Sequence, residues 1–192
     1  MKKILVIHNK YKLVGGEDIA VDNEILFLKR FYEVETLFFE NKTSNLLLQF
    51  FYFLINKNLE SKKILREKIN SFSPDVVYVH NTWFKASISI FKLLKELDVK
   101  TIIKIHNFRY SCTRYYLEKN HLDGELSCKA CGLKKSKNFI NKYFDDSFIK
   151  SLIVVRYGKK YFNIIKDFNF KLLVLTNFHK NYLLKLGFNE EN

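Results

Sequence analysis

A chain of 192 residues, 47% of them hydrophobic, is long enough for one packed domain, or for one domain with a subdomain. Its single proline and six glycines argue against a disordered chain, and the net charge of +13 comes from scattered Lys and Arg without a block of five like charges, so charge alone does not predict a specific nucleic-acid partner. Met1-Lys2-Lys3 leads straight into a short apolar run, which does not read as a secretory leader, and no run reaches the roughly 18 apolar residues of a membrane span.

In chain order, Ile4 to Ile7 is apolar on both faces, the pattern of a buried parallel strand, and it ends in His8-Asn9. Gly15-Gly16-Glu17-Asp18 reads as a loop. A helix is predicted from about Glu17 to Arg30, with Ile19, Ile25, Leu26 and Leu28 among its apolar residues. Glu33 to Phe39 alternates polar and apolar residues, as a second strand does. Residues 44–71 read as one or two helices, apolar in the first half and charged from Glu60 to Lys68. Pro74-Asp75 marks a turn before a third strand, Val76 to Val79, which ends in His80-Asn81.

Trp83 to Leu97 is predicted helical, with Ile88, Phe91, Leu94 and Leu97 on one face. Lys100 to Ile105 is a fourth strand, ending in His106-Asn107. Residues 108–138 show no period and hold all three cysteines. Asp145, Asp146 or Ser147 is suited to cap a helix reaching about Phe168. Lys171 to Leu175 is a fifth strand, and Asn177 is suited to cap a last helix with Gly187 just past its end. Strands alternating with helices predict an α/β fold built on a parallel sheet.

In such a sheet every strand's carboxyl end falls on one edge, where ligands bind. The His-Asn dipeptides therefore gather imidazoles and carboxamides at one crevice, a lining suited to a polyol or a phosphate. His106 is the candidate direct ligand group, the bland alternative being a histidine that braces a loop. His80 and Asn81 stand beside it, with Trp83 either packing on His80 or meeting ligand. His8 reads as mostly structural. The asparagines, Asn107 included, are suited either to ligand contact or to capping the following turns.

Gly15-Gly16, between the first strand and first helix, can let backbone N–H groups approach an anion, or can simply be a turn. The run matches neither G-x-G-x-x-G nor the Walker A loop, so no dinucleotide or P-loop site is predicted. Cys112, Cys128 and Cys131 form C-x15-C-x2-C. That spacing fits a structural zinc with a fourth ligand from His121 or Asp123, or else free thiols. Residues 46–55, with Lys57, Lys62 and Lys63 nearby, read either as a core helix or as a peripheral membrane contact.

Together, KILVIHNKYKLVGGEDIAVDNE, PDVVYVHNTW, TIIKIHNFRYSC with the later CKAC, and LLVLTNFHKNYLLKLGF resemble the N-terminal domain of family 4 glycosyltransferases, the retaining GT-B class. The resemblance spans Lys2 to Phe188. It implies a Rossmann-like open parallel sheet with helices on both faces, a domain over residues 1–188 that mainly holds the acceptor, and a Cys-containing insertion at about 108–138. It implies that Gly15 and Gly16 meet the donor diphosphate, with Glu17 beside them among the substrate-binding residues, and that His106 contacts the transferred sugar or the phosphate. It further implies a sugar nucleotide donor, a saccharide or lipid-linked acceptor, no catalytic metal, and work in the cytoplasm at the inner membrane face in polysaccharide biosynthesis.

The family's second domain, with its Arg/Lys phosphate clamp and Glu-x7-Glu motif, has no counterpart in these residues. Residues 189–192 read as the start of the interdomain linker. The expectation is that the chain alone is inactive, being either truncated or the partner of a separate donor-domain subunit. The reading from another class is a non-catalytic carbohydrate- or partner-binding module, or a truncated gene remnant.

Overall fold

The computed structural model describes residues 1–11, 14–40, 46–55, 57–106 and 148–191. The chain divides into two compact units. The first is built on Met1–His106 together with Phe170–Leu173, and the described elements of the second lie within 148–169 and 174–190.

The five strands are β1 (Lys3–Lys10), β2 (Glu33–Glu40), β3 (Val76–Val79), β4 (Thr101–Ile105) and β5 (Lys171–Val174). They form one all-parallel sheet in the order β2-β1-β3-β4-β5. β1 is inside the sheet, parallel to β2 on one side and to β3 on the other. Its middle residues Leu5, Val6 and Ile7 are fully buried, which is why the strand reads as apolar on both faces. The order reverses direction between β1 and β3, so the topological switch point lies between their carboxyl ends.

The register sets which side chains share a face. Val6 stands opposite Thr36 and Tyr78, and Tyr78 stands opposite Ile102. Because strand side chains alternate, Ile4, Val6 and His8 of β1 share a face with Val76, Tyr78 and His80, and with Ile102, Lys104 and His106. Helix α1 (Gly16–Leu28) covers part of that face. Its buried residues Asp18, Val21 and Ile25 fall on one helical stripe, and Val21 and Ile25 pack with Val6 and Tyr78. Ile19 and Leu26, also apolar in sequence, are exposed on the far side.

The other face carries α3 (Leu59–Phe72), whose stripe Ser61, Leu65, Ile69 and Phe72 is buried. Lys3, which points to this face, donates to Phe72 O at 3.3 Å and sits over the Phe72 ring. Helix α2 (Leu46–Ile55) precedes it and exposes Leu48, Phe51 and Ile55, spaced to lie along one side. Helix α4 (Ser89–Glu96) packs against α3 through a segment in which Ile90, Phe91, Leu93 and Leu94 are fully buried.

The predicted helix from Trp83 to Leu97 starts six residues late. Phe84 and Ser87 have φ of 76° and 57°, outside the right-handed helical region. Side chains satisfy this stretch instead: Trp83 N–H donates to Asn81 Oδ1 at 2.9 Å, and Ala86 N–H donates to Asn9 Oδ1 at 3.0 Å. Lys85 O accepts from both Asn58 Nδ2 and Ser61 Oγ, each at 2.7 Å. Competing side-chain partners of this kind are the ordinary reason a helical pattern fails to become a helix.

In the second unit, α5 (Phe148–Asp167) buries Tyr157, Tyr161, Phe162 and Ile165, and α6 (Asn177–Lys185) buries Leu183. Phe188 meets Phe162 edge to face at 6.1 Å between ring centroids. The N-cap of α6 is Thr176 rather than Asn177: Thr176 is extended and its Oγ1 accepts His179 N–H at 3.2 Å. Gly187, with φ +79°, sits just past the helix end as the sequence suggests. Candidate caps Asp145, Asp146 and Ser147 lie outside the described residues. No helix among the described residues is long and apolar enough to cross a membrane.

Candidate functional site at the carboxyl edge of the sheet

The strand-end dipeptides split between the two faces of the sheet. The histidines project to the α1 face. Asn9 and Asn81 project to the other face and act as braces: Asn81 Nδ2 donates to Asn9 O at 2.9 Å, and both hold the turns after β3. Both asparagines are buried. Their hydrogen bonds fix the shape of the crevice wall at the β1/β3 switch point. Trp83, half-buried, is oriented by its backbone bond to Asn81.

His8 is fully buried and joins β1 to the first turn of α1 through a 2.9 Å hydrogen bond between Nε2 and Asp18 Oδ1. Asp18 also accepts Gly15 N–H at 2.9 Å and Tyr11 N–H at 3.4 Å. Burial works against the Asp18 carboxylate, but the Gly15, His8 and Tyr11 hydrogen bonds together hold it below its ordinary pKa. Burial lowers His8, so it is neutral near pH 7, and Nε2 must then carry the proton it donates to Asp18. Its Nδ1 is buried without a hydrogen-bond partner.

This arrangement bears on the glycine loop. Gly15 is extended, with φ −117°, and its N–H is committed to Asp18. Glu17 accepts the Tyr11 hydroxyl at 3.0 Å. Two carboxylates, Glu17 and Asp18, thus occupy the first turn of α1, where they complement the helix dipole. A Cβ added at Gly16 would meet nothing within 4 Å, so packing in this chain does not require a glycine there.

His80 and His106 form the centre of the edge. His80 Nδ1 and His106 Nε2 share a hydrogen bond of 3.0 Å. His80 is buried and His106 is partly exposed. Burial, with the neighbouring His106 and His8 rings adding to it, pushes His80 down to about 3. Burial, then the Lys104 ammonium and His8, push His106 down to about 4. Near pH 7 both rings are neutral, and the bond between them carries one proton.

A charged cluster missed in the sequence reading lies directly behind them. Glu24 of α1 accepts the Tyr78 hydroxyl at 2.9 Å through Oε2 and pairs with the Lys104 ammonium through Oε1. Oε2 also lies 3.8 Å from His80 Nε2. Burial lowers Lys104 and raises Tyr78, so the phenol stays protonated as a donor. One signal for this cluster was available. A lysine among the isoleucines of the TIIKI strand falls two residues before His106, on the same face, and a buried lysine needs a partner. Beside this cluster the α1 face opens into a hollow of about 530 Å³, lined by Glu24, Phe27, Val76, Tyr78, Ile102 and Leu173.

His8, His80 and His106 are therefore brought to one face, with Asn81 and Trp83 on the loop beside them and Gly15, Gly16 and Glu17 at the start of α1. Asn107, Cys112, Cys128 and Cys131, with His121 and Asp123, lie outside the described residues. Among the described residues no group of three or more His, Cys, Asp or Glu is arranged to hold a metal ion. Chemically, the edge offers neutral imidazoles that donate to or accept from hydroxyl groups. Its buried lysine is already matched by a carboxylate.

No protein family, curated protein or solved structure matches the chain.

Proposed function

We propose that the chain is the acceptor-side domain of a retaining glycosyltransferase, which transfers a sugar from a sugar nucleotide to a saccharide or lipid-linked acceptor. The observation that carries this reading is the row of uncharged imidazoles at the carboxyl edge of the parallel sheet, next to its switch point. Neutral rings that both donate and accept suit sugar hydroxyls. The sequence resemblance to family 4 enzymes supports the same reading. In that reading the sugar nucleotide is held mainly by a donor domain. The exposed Leu48, Phe51 and Ile55 on α2, with Lys57 and Lys63 nearby, would suit a lipid-linked acceptor at the inner membrane face. A structural zinc at Cys112, Cys128 and Cys131 remains a separate proposal, checked by the metal content of the purified chain.

One observation favours the alternative, a non-catalytic carbohydrate-binding module. The Gly15 N–H that would meet a diphosphate is bound to Asp18, and two carboxylates crowd the same helix turn. Titration separates the readings. Imidazole and backbone amide NMR signals of the labelled chain are followed while methyl hexopyranosides, nucleoside diphosphates or sugar nucleotides are added. Saccharides should perturb His106 and His80. A sugar nucleotide that also perturbs Gly16 supports the transferase, whereas saccharide binding with no response to any nucleotide supports the module. Absence of any saccharide response sinks both.

A further inference from the structure

We propose that Glu24 is a positioning residue, fixing the tautomers of His80 and His106 so that His106 presents an unprotonated Nδ1 to a substrate hydroxyl. The inference rests on reading this edge as the saccharide-holding half of the site.

The argument follows the protons. Glu24 is held by two donors, the Tyr78 hydroxyl on Oε2 and the Lys104 ammonium on Oε1. Its carboxylate is therefore anchored in place. His80 Nε2 is buried, has no hydrogen-bond partner, and lies 3.8 Å from Glu24 Oε2. That separation is too long for a hydrogen bond but well within reach of a charge–dipole interaction. A ring nitrogen facing a carboxylate is stabilised when it carries N–H and destabilised when it presents its lone pair. The proton of His80 thus belongs on Nε2.

A neutral imidazole carries one N–H, so His80 Nδ1 is the acceptor of the 3.0 Å bond and His106 Nε2 is its donor. His106 has then used its single proton inward, and its Nδ1 is left as a lone pair on the partly exposed ring. A lone pair accepts a hydrogen bond from a sugar hydroxyl. It has nothing to offer an ionised phosphate oxygen, which is itself only an acceptor. Glu24 would in this way select for hydroxyls at a distance, without touching the substrate. The role differs from plain structural support because it sets which nitrogen is bare, and that can be read directly.

The test is long-range proton–nitrogen NMR of the uniformly nitrogen-labelled full chain near pH 7. In the wild type, His80 and His106 should each show a protonated Nε2 and a bare Nδ1. Glu24→Gln places an amide near His80 Nε2. The amide N–H can donate to that nitrogen, favouring His80 Nδ1–H and reversing the pair, so that His106 Nδ1 moves from the bare to the protonated range. Wild-type His106 protonated on Nδ1, or a folded E24Q with unchanged tautomers, overturns the proposal. If E24Q loses its dispersed spectrum, the wild-type assignment decides alone. The readout involves no ligand, so predicted tautomers without any saccharide response would sink the functional reading while leaving the relay intact.

Discussion

Acidification should unfold this protein earlier than carboxylate protonation alone would, because its central histidines are buried in the neutral form. An unfolded histidine binds its proton at about pH 6.5. In the folded state His80 and His106 hold out to about 3 and about 4. Below pH 6.5 the unfolded chain therefore binds more protons than the folded one, and stability falls as pH falls. The sign follows from the depressed folded values: full stability above 6.5, with loss continuing until the folded rings themselves titrate. Between pH 7 and pH 5 each ring loses about 2 kcal/mol by this linkage, or about 4 kcal/mol for the two, somewhat less if the partly exposed His106 is better solvated. His8 is lowered as well and adds in the same direction.

Urea unfolding followed by the fluorescence of Trp83, the one tryptophan of the chain, measures this at several pH values. The wild type should lose stability steeply over this interval, and His80→Phe with His106→Gln should remove most of the pH dependence even if it lowers stability at pH 7. It is the slope, and not the level, that carries the reasoning. A double variant with the wild-type slope, or a His80 ring titrating near 6.5 by NMR, would refute it.

Three further outcomes follow from the geometry. Asn9→Ala removes the Oδ1 that accepts Ala86 N–H in a buried loop, and an unpaired buried donor costs about 1–3 kcal/mol, read as a lower urea midpoint with faster amide exchange at Ala86. An unchanged midpoint would mean that the loop does not depend on this brace. Gly16→Ala should leave stability equal or raise it by about 0.4–1 kcal/mol, since the added Cβ meets open space at the start of a helix. Gly187→Ala should instead destabilise by about 1 kcal/mol or more, because Gly187 has φ +79°, a left-handed conformation that a Cβ strains, whereas the Lys166 ammonium near that Cβ can swing aside. Thermal melts of both variants check the pair, and equal effects would contradict it.

The inner strands were legible in the sequence because buried parallel strands are continuous apolar runs with sharp polar ends, and β2 was legible by its alternation. Val76 to Val79 is the clearest case, matching the observed β3 residue for residue. The helix after β3 was less legible. Ile88, Phe91 and Leu94 have helical spacing, but the residues before Ser89 are held by Asn9, Asn81, Asn58 and Ser61, partners distant in the chain. Periodicity reports local pattern and is silent on such tertiary competition. The same limit hid Glu24. On α1 it looks like one more solvated carboxylate, and its meaning appears only when the register sets Tyr78 and Lys104 beneath it.

The register also explains why the strand-end motif is a dipeptide. Adjacent strand residues point to opposite faces, so His-Asn delivers an imidazole to the α1 side and a carboxamide to the α3 side at the same height. His8 and His80 line up because β1 and β3 are parallel and in register, from Ile4 opposite Val76 to Ile7 opposite Val79. Their rings meet edge to face with centroids 6.1 Å apart. On β4 the position level with His80 is Lys104, and His106 reaches back diagonally to His80. That two-residue offset leaves the His106 ring farthest out along the sheet edge, and it alone of the three rings is partly exposed. A site built this way has its specificity set by strand register. A two-residue slip of β4 would bring His106 level with His80 and bury the ring that now stands partly exposed, while a one-residue slip would turn the ring to the asparagine face.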